Sequence, residues 1–120
     1  LEAEFYEVQD AAAAELNRRR RAGGRIIPVG TTSVRTLETI TTGADGIDFE
    51  ASSGWTDLFV HPPFNFRATD ALITNFHLPR SSLLLLVAAF TGLERLKQAY
   101  REAIRAQYRF YSYGDAMLIV

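Results

Sequence analysis

A run of small, mostly hydroxyl-bearing residues, Gly30-Thr31-Thr32-Ser33, lies between a short apolar segment and a predicted helix, and Arg35 follows it. Free backbone N–H groups at a helix start form an anion-binding site, which small residues allow a ligand to approach. A cation in the first helical turn opposes the helix dipole, so Arg35 makes better sense beside an anion such as a carboxylate or phosphate. A capped helix with a solvated arginine explains the same residues equally well.

A second candidate is the polar loop after a predicted strand, which contains Thr74, Asn75 and His77. Ligands of open α/β sheets bind beyond the carboxyl ends of the strands, so this position suits a site. His77 could act as a general base or acid near neutral pH, and Asn75 could bind an amide or hydroxyl group. From these residues alone, a loop histidine bonded to backbone is the favoured interpretation.

A third candidate is the segment 108–115, in which aromatic residues, among them Tyr113, surround Arg109. Such residues could stack on nucleic-acid bases, although an aromatic stripe after an amphipathic helix more often belongs to a hydrophobic core. Asp115, after a glycine, is either a carboxylate that caps a turn or an acid of a site. The two histidines, His61 and His77, have no ligand-like spacing to nearby carboxylates, so no metal site is predicted.

These segments must be positioned by strands that alternate with helices, according to the hydrophobic periodicity of the chain. The pattern predicts a layered α/β fold with a partly parallel sheet flanked by helices. Pro79 is expected in the first turn of the helix at 83–90. The predicted strands are 1–8, 25–30, 56–60, 71–74 and 117–120. The predicted helices are 11–21 with Asp10 as N-cap, a short helix that residues 31–33 lead into and that reaches 40, 83–90 and 93–108, and 41–54 is a loop or small hairpin.

Composition and charge bound the kind of protein. A length of 120 residues, 48% of them hydrophobic and 22% charged, is typical of one folded domain. The absence of cysteine excludes disulfides and thiolate metal sites and suits a reducing cytosol. The net charge of −1 does not favour nucleic-acid binding by bulk charge, so any RNA contact would need a local patch. The longest apolar run, 83–90, is far shorter than the roughly 20 residues that span a bilayer, and we expect a soluble, cytoplasmic protein.

Five stretches, 4–8, 30–38, 54–59, 70–79 and 108–119, follow one another in an order typical of a single family. Their Thr-Asn-Phe-His-Leu-Pro and Ser-Tyr-Gly-Asp-Ala-Met blocks are highly specific. Together the stretches resemble the S-adenosylmethionine:tRNA ribosyltransferase-isomerase family of queuosine biosynthesis, over nearly the whole chain. One departure is Glu2, which stands where the family usually has a histidine.

The resemblance implies that residues 1–120 are one segment, the C-terminal part of the α/β catalytic domain of a longer enzyme. The N-terminal portion and the inserted β-barrel domain of the family lie outside this chain. The start at Leu1 without a methionine also indicates a fragment. Because the other domains of the family lie outside it, this fragment alone is expected to be inactive. The longer protein is expected to be a monomer that does not associate with membranes.

The resemblance also implies an activity. The ribosyl part of S-adenosylmethionine is transferred to 7-aminomethyl-7-deazaguanine at the wobble position of tRNA and isomerised, giving epoxyqueuosine, adenine and methionine. S-adenosylmethionine is then a co-substrate, the partner is a tRNA with a guanine-derived wobble base, and no metal or other cofactor is expected. The sulfonium acidifies the neighbouring ribose carbon, a base removes its proton, and an acid assists the departure of adenine.

The residue roles are hypotheses. His77 and Asp115 are the acid and base candidates, and the helix start that includes Arg35 is assigned to an anionic group, either the methionine carboxylate or a tRNA phosphate. The predicted substrate-binding set is Gly30, Thr31, Thr32, Ser33, Arg35, Thr74, Asn75 and Tyr113.

Two other interpretations compete with this one. The chain could be a folded core or RNA-docking module without catalysis of its own, or an unrelated α/β domain whose Gly-Thr-Thr-Ser loop binds a small phosphorylated ligand. Binding of S-adenosylmethionine would argue against the unrelated domain, and catalysis by this chain alone would argue against the docking module.

Overall fold

The computed structural model describes residues 2–43 and 48–120, in which helices and strands alternate over much of the chain. None of the helices in these ranges is long and apolar enough to cross a bilayer. In chain order the elements are β1 (Glu4–Val8), α1 (Asp10–Arg21), α2 (Thr31–Ile40), β2 (Thr41–Thr42), β3 (Asp48–Phe49), β4 (Ser52–Thr56), β5 (Leu72–Asn75), α3 (Ser82–Thr91), α4 (Leu93–Arg105) and β6 (Ala116–Ile119).

The predicted α/β class is confirmed, but the predicted partly parallel sheet is wrong. The described strands form three two-stranded antiparallel sheets, β1–β4, β2–β3 and β5–β6. Parallel pairing in the described ranges is limited to a bridge between Val29 and Ile73, where Ile73 N donates to Pro28 O at 3.0 Å and Gly30 N donates to Ile73 O at 2.8 Å. Pro28 has no N–H to donate, and Gly30, with φ of 93°, turns the chain into α2. The predicted strand at 25–30 is therefore reduced to one bridge.

Several element boundaries differ from the prediction for local reasons. The predicted strand at 56–60 is replaced by β4 at Ser52–Thr56, because it is this stretch that pairs with β1. Helix α3 begins at Ser82 instead of taking Pro79 into its first turn, since Arg80 is left-handed and the Ser81 hydroxyl caps the helix. Helix α4 ends at Arg105, before the predicted 108, and left-handed Gln107 follows. Of the predicted hairpin at 41–54, residues 44–47 lie outside the described residues.

Helix α2 contributes to two hydrophobic clusters, and its packing in them determines where its first turn lies. Val34 packs into one cluster and Ile40 into the other. Leu72 of β5 belongs to the same cluster as Val34, so burial of apolar area holds the start of α2 close to β5. The first cluster contains Val34, Val60, Leu72, Leu86, Val87, Ala88 and Leu96, and the second contains Ile26, Ile40, Phe49 and Ala68.

Candidate functional site

A pocket of about 400 Å³ lies between the start of α2, the loop after β5 and the turn before β6. It brings together two of the predicted segments, which are more than forty positions apart in the sequence, and the bridge from Gly30 N to Ile73 O holds them side by side. Two wider grooves of about 550 Å³ lie near α1, but neither contains a histidine. The lining residues are Gly30, Thr31, Thr32, Thr74, Asn75, Phe76, His77, Leu78, Ser81, Leu83, Tyr111 and Ser112.

His77 is the titratable group of this pocket. Its Nε2 lies 2.8 Å from the hydroxyl oxygen of Thr74, which is buried at the end of β5. The interpretation favoured from the sequence alone was a histidine bonded to backbone. The ring instead bonds to a side chain. Burial lowers the pKa of His77 below its ordinary value of 6.5, because the charged imidazolium is disfavoured away from water. At neutral pH the imidazole is therefore neutral and able to accept a proton.

The backbone around His77 is held by residues from other elements. The Tyr100 hydroxyl of α4 accepts a hydrogen bond from His77 N at 2.7 Å and donates one to His77 O at 3.0 Å. Tyr111 N donates to Phe76 O at 3.0 Å, which ties the turn before β6 to the same loop. The side chain of Asn75 donates to the backbone carbonyl of Asp115 at 3.2 Å. The histidine thus lies on an irregular segment whose polar backbone groups are paired.

Arg35 is placed differently from the prediction. Its side chain is 1% exposed, and Nη1 forms an ion pair with the Glu4 carboxylate of β1. Nε donates to the Leu58 carbonyl at 2.9 Å, and Nη2 donates to the carbonyls of Glu2 and Thr56, each at 3.2 Å. The predicted anion beside this arginine is therefore a carboxylate of the protein itself. In this arrangement the guanidinium is not available to a ligand.

The same carboxylate also bonds to the start of α2. Thr32 Oγ1 donates to Glu4 Oε2 at 2.9 Å, so Glu4 joins the first helical turn to Arg35. Thr31 and Thr32 nevertheless line the pocket, whereas Ser33 lines neighbouring grooves. The separation follows from helix geometry, because with about 3.6 residues per turn adjacent residues point in different directions. Only the first part of the predicted segment, Gly30–Thr32, faces the pocket.

The predicted residues near the end of the chain lie outside the pocket lining. Asp115 Oδ2 accepts a hydrogen bond from Arg109 N at 2.7 Å, and Asp115 N donates to Arg109 O at 2.8 Å. Its carboxylate therefore closes a turn, which is the first of the two interpretations left open by the sequence. Tyr113 is 98% exposed and contributes nothing to the pocket wall. The turn instead presents Tyr111 and Ser112 to the pocket.

Sequence reasoning missed several residues around this site. Tyr111 and Ser112 were inside an aromatic-rich candidate segment, yet nothing in their spacing distinguished them from Tyr113. Tyr100 lies within the predicted helix at 93–108, and its residue type and position indicate no further role. Its hydroxyl bonds to a residue 23 positions away, and no local pattern indicates such a contact.

Comparison with known proteins gives the family. The family model described as "Queuosine biosynthesis protein" matches residues 1–119, and the chain belongs to this family. The chain is 59% identical over 120 residues to the S-adenosylmethionine:tRNA ribosyltransferase-isomerase of Moorella thermoacetica. The resemblance drawn from the sequence motifs is therefore confirmed.

A solved structure agrees with this assignment. The crystal structure of S-adenosylmethionine tRNA ribosyltransferase from Thermotoga maritima superimposes with a TM-score of 0.85 at 53% identity and covers 97% of this chain. The chain spans only part of these relatives, 34% of the Moorella protein and 40% of the Thermotoga chain. The chain is therefore only part of a protein of the relatives' size, and their names describe the activity of the longer proteins.

Proposed function

We propose that this chain is part of an S-adenosylmethionine:tRNA ribosyltransferase-isomerase, as its relatives are named. The reaction transfers the ribosyl part of S-adenosylmethionine to 7-aminomethyl-7-deazaguanine at the tRNA wobble position and isomerises it. Epoxyqueuosine in tRNA forms, and adenine and methionine leave. The observation that supports this proposal is the convergence of the Gly30–Thr32 and Thr74–His77 segments in one pocket of a family member.

His77 is the base of this proposal. The sulfonium withdraws electrons from the ribose carbon bonded to it, which acidifies the hydrogen there, and a neutral imidazole at neutral pH can remove that proton. Within residues 2–43 and 48–120 the ring makes one hydrogen bond, through Nε2 to Thr74. Thr74 therefore orients the ring. In the tautomer whose Nε2–H donates to Thr74 Oγ1, Nδ1 has no hydrogen and takes the proton of the substrate.

The start of α2 takes the anionic group in the proposed complex. Gly30, Thr31 and Thr32 bring the positive end of a ten-residue helix to the pocket wall. The anion is the methionine carboxylate or a tRNA phosphate. Arg35 acts indirectly, by holding Glu4 and thereby the first turn of α2, and Asp115 acts by closing the turn before β6.

Asn75 orients the substrate from the end of β5. Its side-chain nitrogen is bonded to the Asp115 carbonyl, so the amide plane is fixed while the residue lines the pocket. The amide oxygen can then accept a hydrogen bond from a hydroxyl group of the ribose. The cytoplasmic location, the monomeric state and the absence of a metal or other cofactor stay predictions.

The test uses a protein that contains this sequence and has the full length of the relatives; we call it the long polypeptide. It is incubated with S-adenosylmethionine and a tRNA that carries the aminomethyl-deazaguanine, and the tRNA nucleosides are analysed by mass spectrometry. The 120-residue chain is treated in parallel. We expect conversion by the long polypeptide and none by the chain alone. A folded long polypeptide that binds S-adenosylmethionine but leaves the tRNA unchanged would contradict the proposed reaction.

A further inference from the structure

We propose that Tyr100 is a positioning residue for His77, an inference that rests on the proposed function of this pocket. One hydroxyl group of α4 bonds to both backbone polar groups of the histidine, accepting from His77 N at 2.7 Å and donating to His77 O at 3.0 Å. Two bonds to one residue restrain both of its backbone dihedral angles. By fixing the backbone of His77, Tyr100 determines the direction in which the imidazole side chain projects from the loop.

The tyrosine ring is itself held in place. Its centroid lies 5.3 Å from that of Phe76 and 5.6 Å from that of Phe110, in edge-to-face arrangements with interplanar angles of 67° and 88°. Its helix is anchored in the protein interior by Leu96 and Ala103, both buried. The hydroxyl oxygen therefore occupies a fixed position relative to β5 and α4.

The bridge requires a protonated phenol, because a phenolate could not donate to His77 O. Burial raises the pKa of Tyr100 above its ordinary value of 10.0. The phenol thus keeps its proton over the whole range in which His77 changes charge. Within the described residues, the side chains that hydrogen-bond to His77 are Thr74 from β5 and Tyr100 from α4, and neither carries a charge near neutral pH.

His77 needs such support because it lies on irregular backbone between β5 and α3. Without the hydroxyl, its N–H and C=O lose their partner and the loop is free to shift. Displacement of a catalytic group by about 1 Å costs about a hundredfold in rate. We therefore expect Tyr100→Phe, which keeps the ring, to lower kcat about ten- to a hundredfold with little change in KM.

Tyr108 offers a matched control. Its ring also meets Phe76 edge to face, at 5.8 Å, but the side chain is 49% exposed. In the part of the chain that the structure describes, its hydroxyl makes no hydrogen bond. Tyr108→Phe should therefore leave kcat and KM at wild-type values.

The test is steady-state kinetics of the long polypeptide with four variants: Tyr100→Phe, Tyr108→Phe, His77→Gln and the double variant Tyr100→Phe/His77→Gln. If Tyr100 acts through His77, the double variant turns over no more slowly than His77→Gln alone. Wild-type turnover of Tyr100→Phe beside a slow His77→Gln would overturn the positioning role and leave the proposed function standing. A Tyr100→Phe effect of equal size with and without His77 would overturn it as well. Wild-type turnover of His77→Gln would overturn the base role of His77 and with it the positioning role of Tyr100, while the reaction itself would stand.

A second measurement applies if Tyr100→Phe does not fold. Site-specific replacement of Tyr100 by a fluorinated tyrosine keeps the bridge but makes the phenol more acidic. We expect kcat to fall on the alkaline side at a lower pH than in the wild type, because the donor to His77 O is then lost earlier. An unchanged alkaline limb would contradict the positioning role.

Discussion

The start of α2 and the loop after β5 lie on either side of the same pocket, and both were predicted as polar sites. At the start of α2, the charged group is Arg35, which is buried and bonded to Glu4 and to three backbone carbonyls. After β5, the titratable group is His77, which lines the pocket and has a lowered pKa. Arg35 therefore stabilises the fold, whereas His77 is the reactive group of the proposed site.

The difference shows what decides whether a polar side chain is available to a ligand. The partner of Arg35 is 31 positions away in the sequence and neutralises it inside the protein. The partner of His77 is Thr74, only three positions away, and it is an uncharged hydroxyl that bonds to Nε2 and not to the other ring nitrogen. A charged side chain in a motif therefore indicates a ligand site only when no oppositely charged residue from another segment of the protein pairs with it.

The largest expected effect is on turnover after a change at His77. His77→Gln in the long polypeptide should lower kcat by about a hundredfold or more, because general base catalysis contributes about 10²–10⁴-fold. The matched control is His61→Gln, since His61 is exposed and packs edge to face on Phe59. Steady-state kinetics on modified tRNA measures both. Equal losses in the two variants would remove the distinction between the pocket histidine and an ordinary surface histidine.

The next effect is on stability after a change at Arg35. Arg35→Leu should lower the free energy of unfolding by about 2–4 kcal/mol, because three carbonyls lose their donor. Glu4 adds less, since its side chain is 39% exposed and can be hydrated after the change. Urea unfolding measures the difference. Arg105→Leu is the control, because the exposed Arg105–Glu102 pair should contribute nothing measurable. An Arg35→Leu variant with wild-type stability and weakened S-adenosylmethionine binding would return this arginine to the ligand site.

The smallest effect concerns the pH dependence of stability. The pKa of His77 is lowered in the folded state below 6.5, so the unfolded chain binds the proton first as the pH falls. Stability should therefore decrease below about pH 6.5 and continue to decrease until the folded state is protonated as well. His77→Gln should lack this component when unfolding is followed between about pH 8 and pH 5. Identical slopes for the wild type and the variant would mean that His77 is not desolvated.

How much the sequence predicts follows from the range of the contacts. The helix that follows Gly30 and the strand before Asn75 were predicted because hydrophobic periodicity is local. The predicted strand at 25–30 is wrong because Pro28 and Gly30, both visible in the sequence, prevent the hydrogen-bond ladder from extending beyond the bridge at Val29. Of the candidate residues, the six that line the pocket lie within Gly30–Thr32 and Thr74–His77. Sequence alone could not place Arg35, because its partners come from distant segments. Asp115 closes a local turn with Arg109, which is one of the two interpretations that the sequence left open.

The most direct test of the account is a crystal structure of the long polypeptide with a non-reactive amine analogue of S-adenosylmethionine. We predict that the analogue occupies the pocket of about 400 Å³, with the ribose carbon next to the amine in reach of the His77 ring. The distance between that carbon and the nearest ring nitrogen of His77 should be about 3.2 Å, or one water molecule should lie between them. Arg35 should keep its bond to Glu4 in that complex. An analogue bound elsewhere, or one whose carboxylate displaces Glu4 from Arg35, would contradict the account.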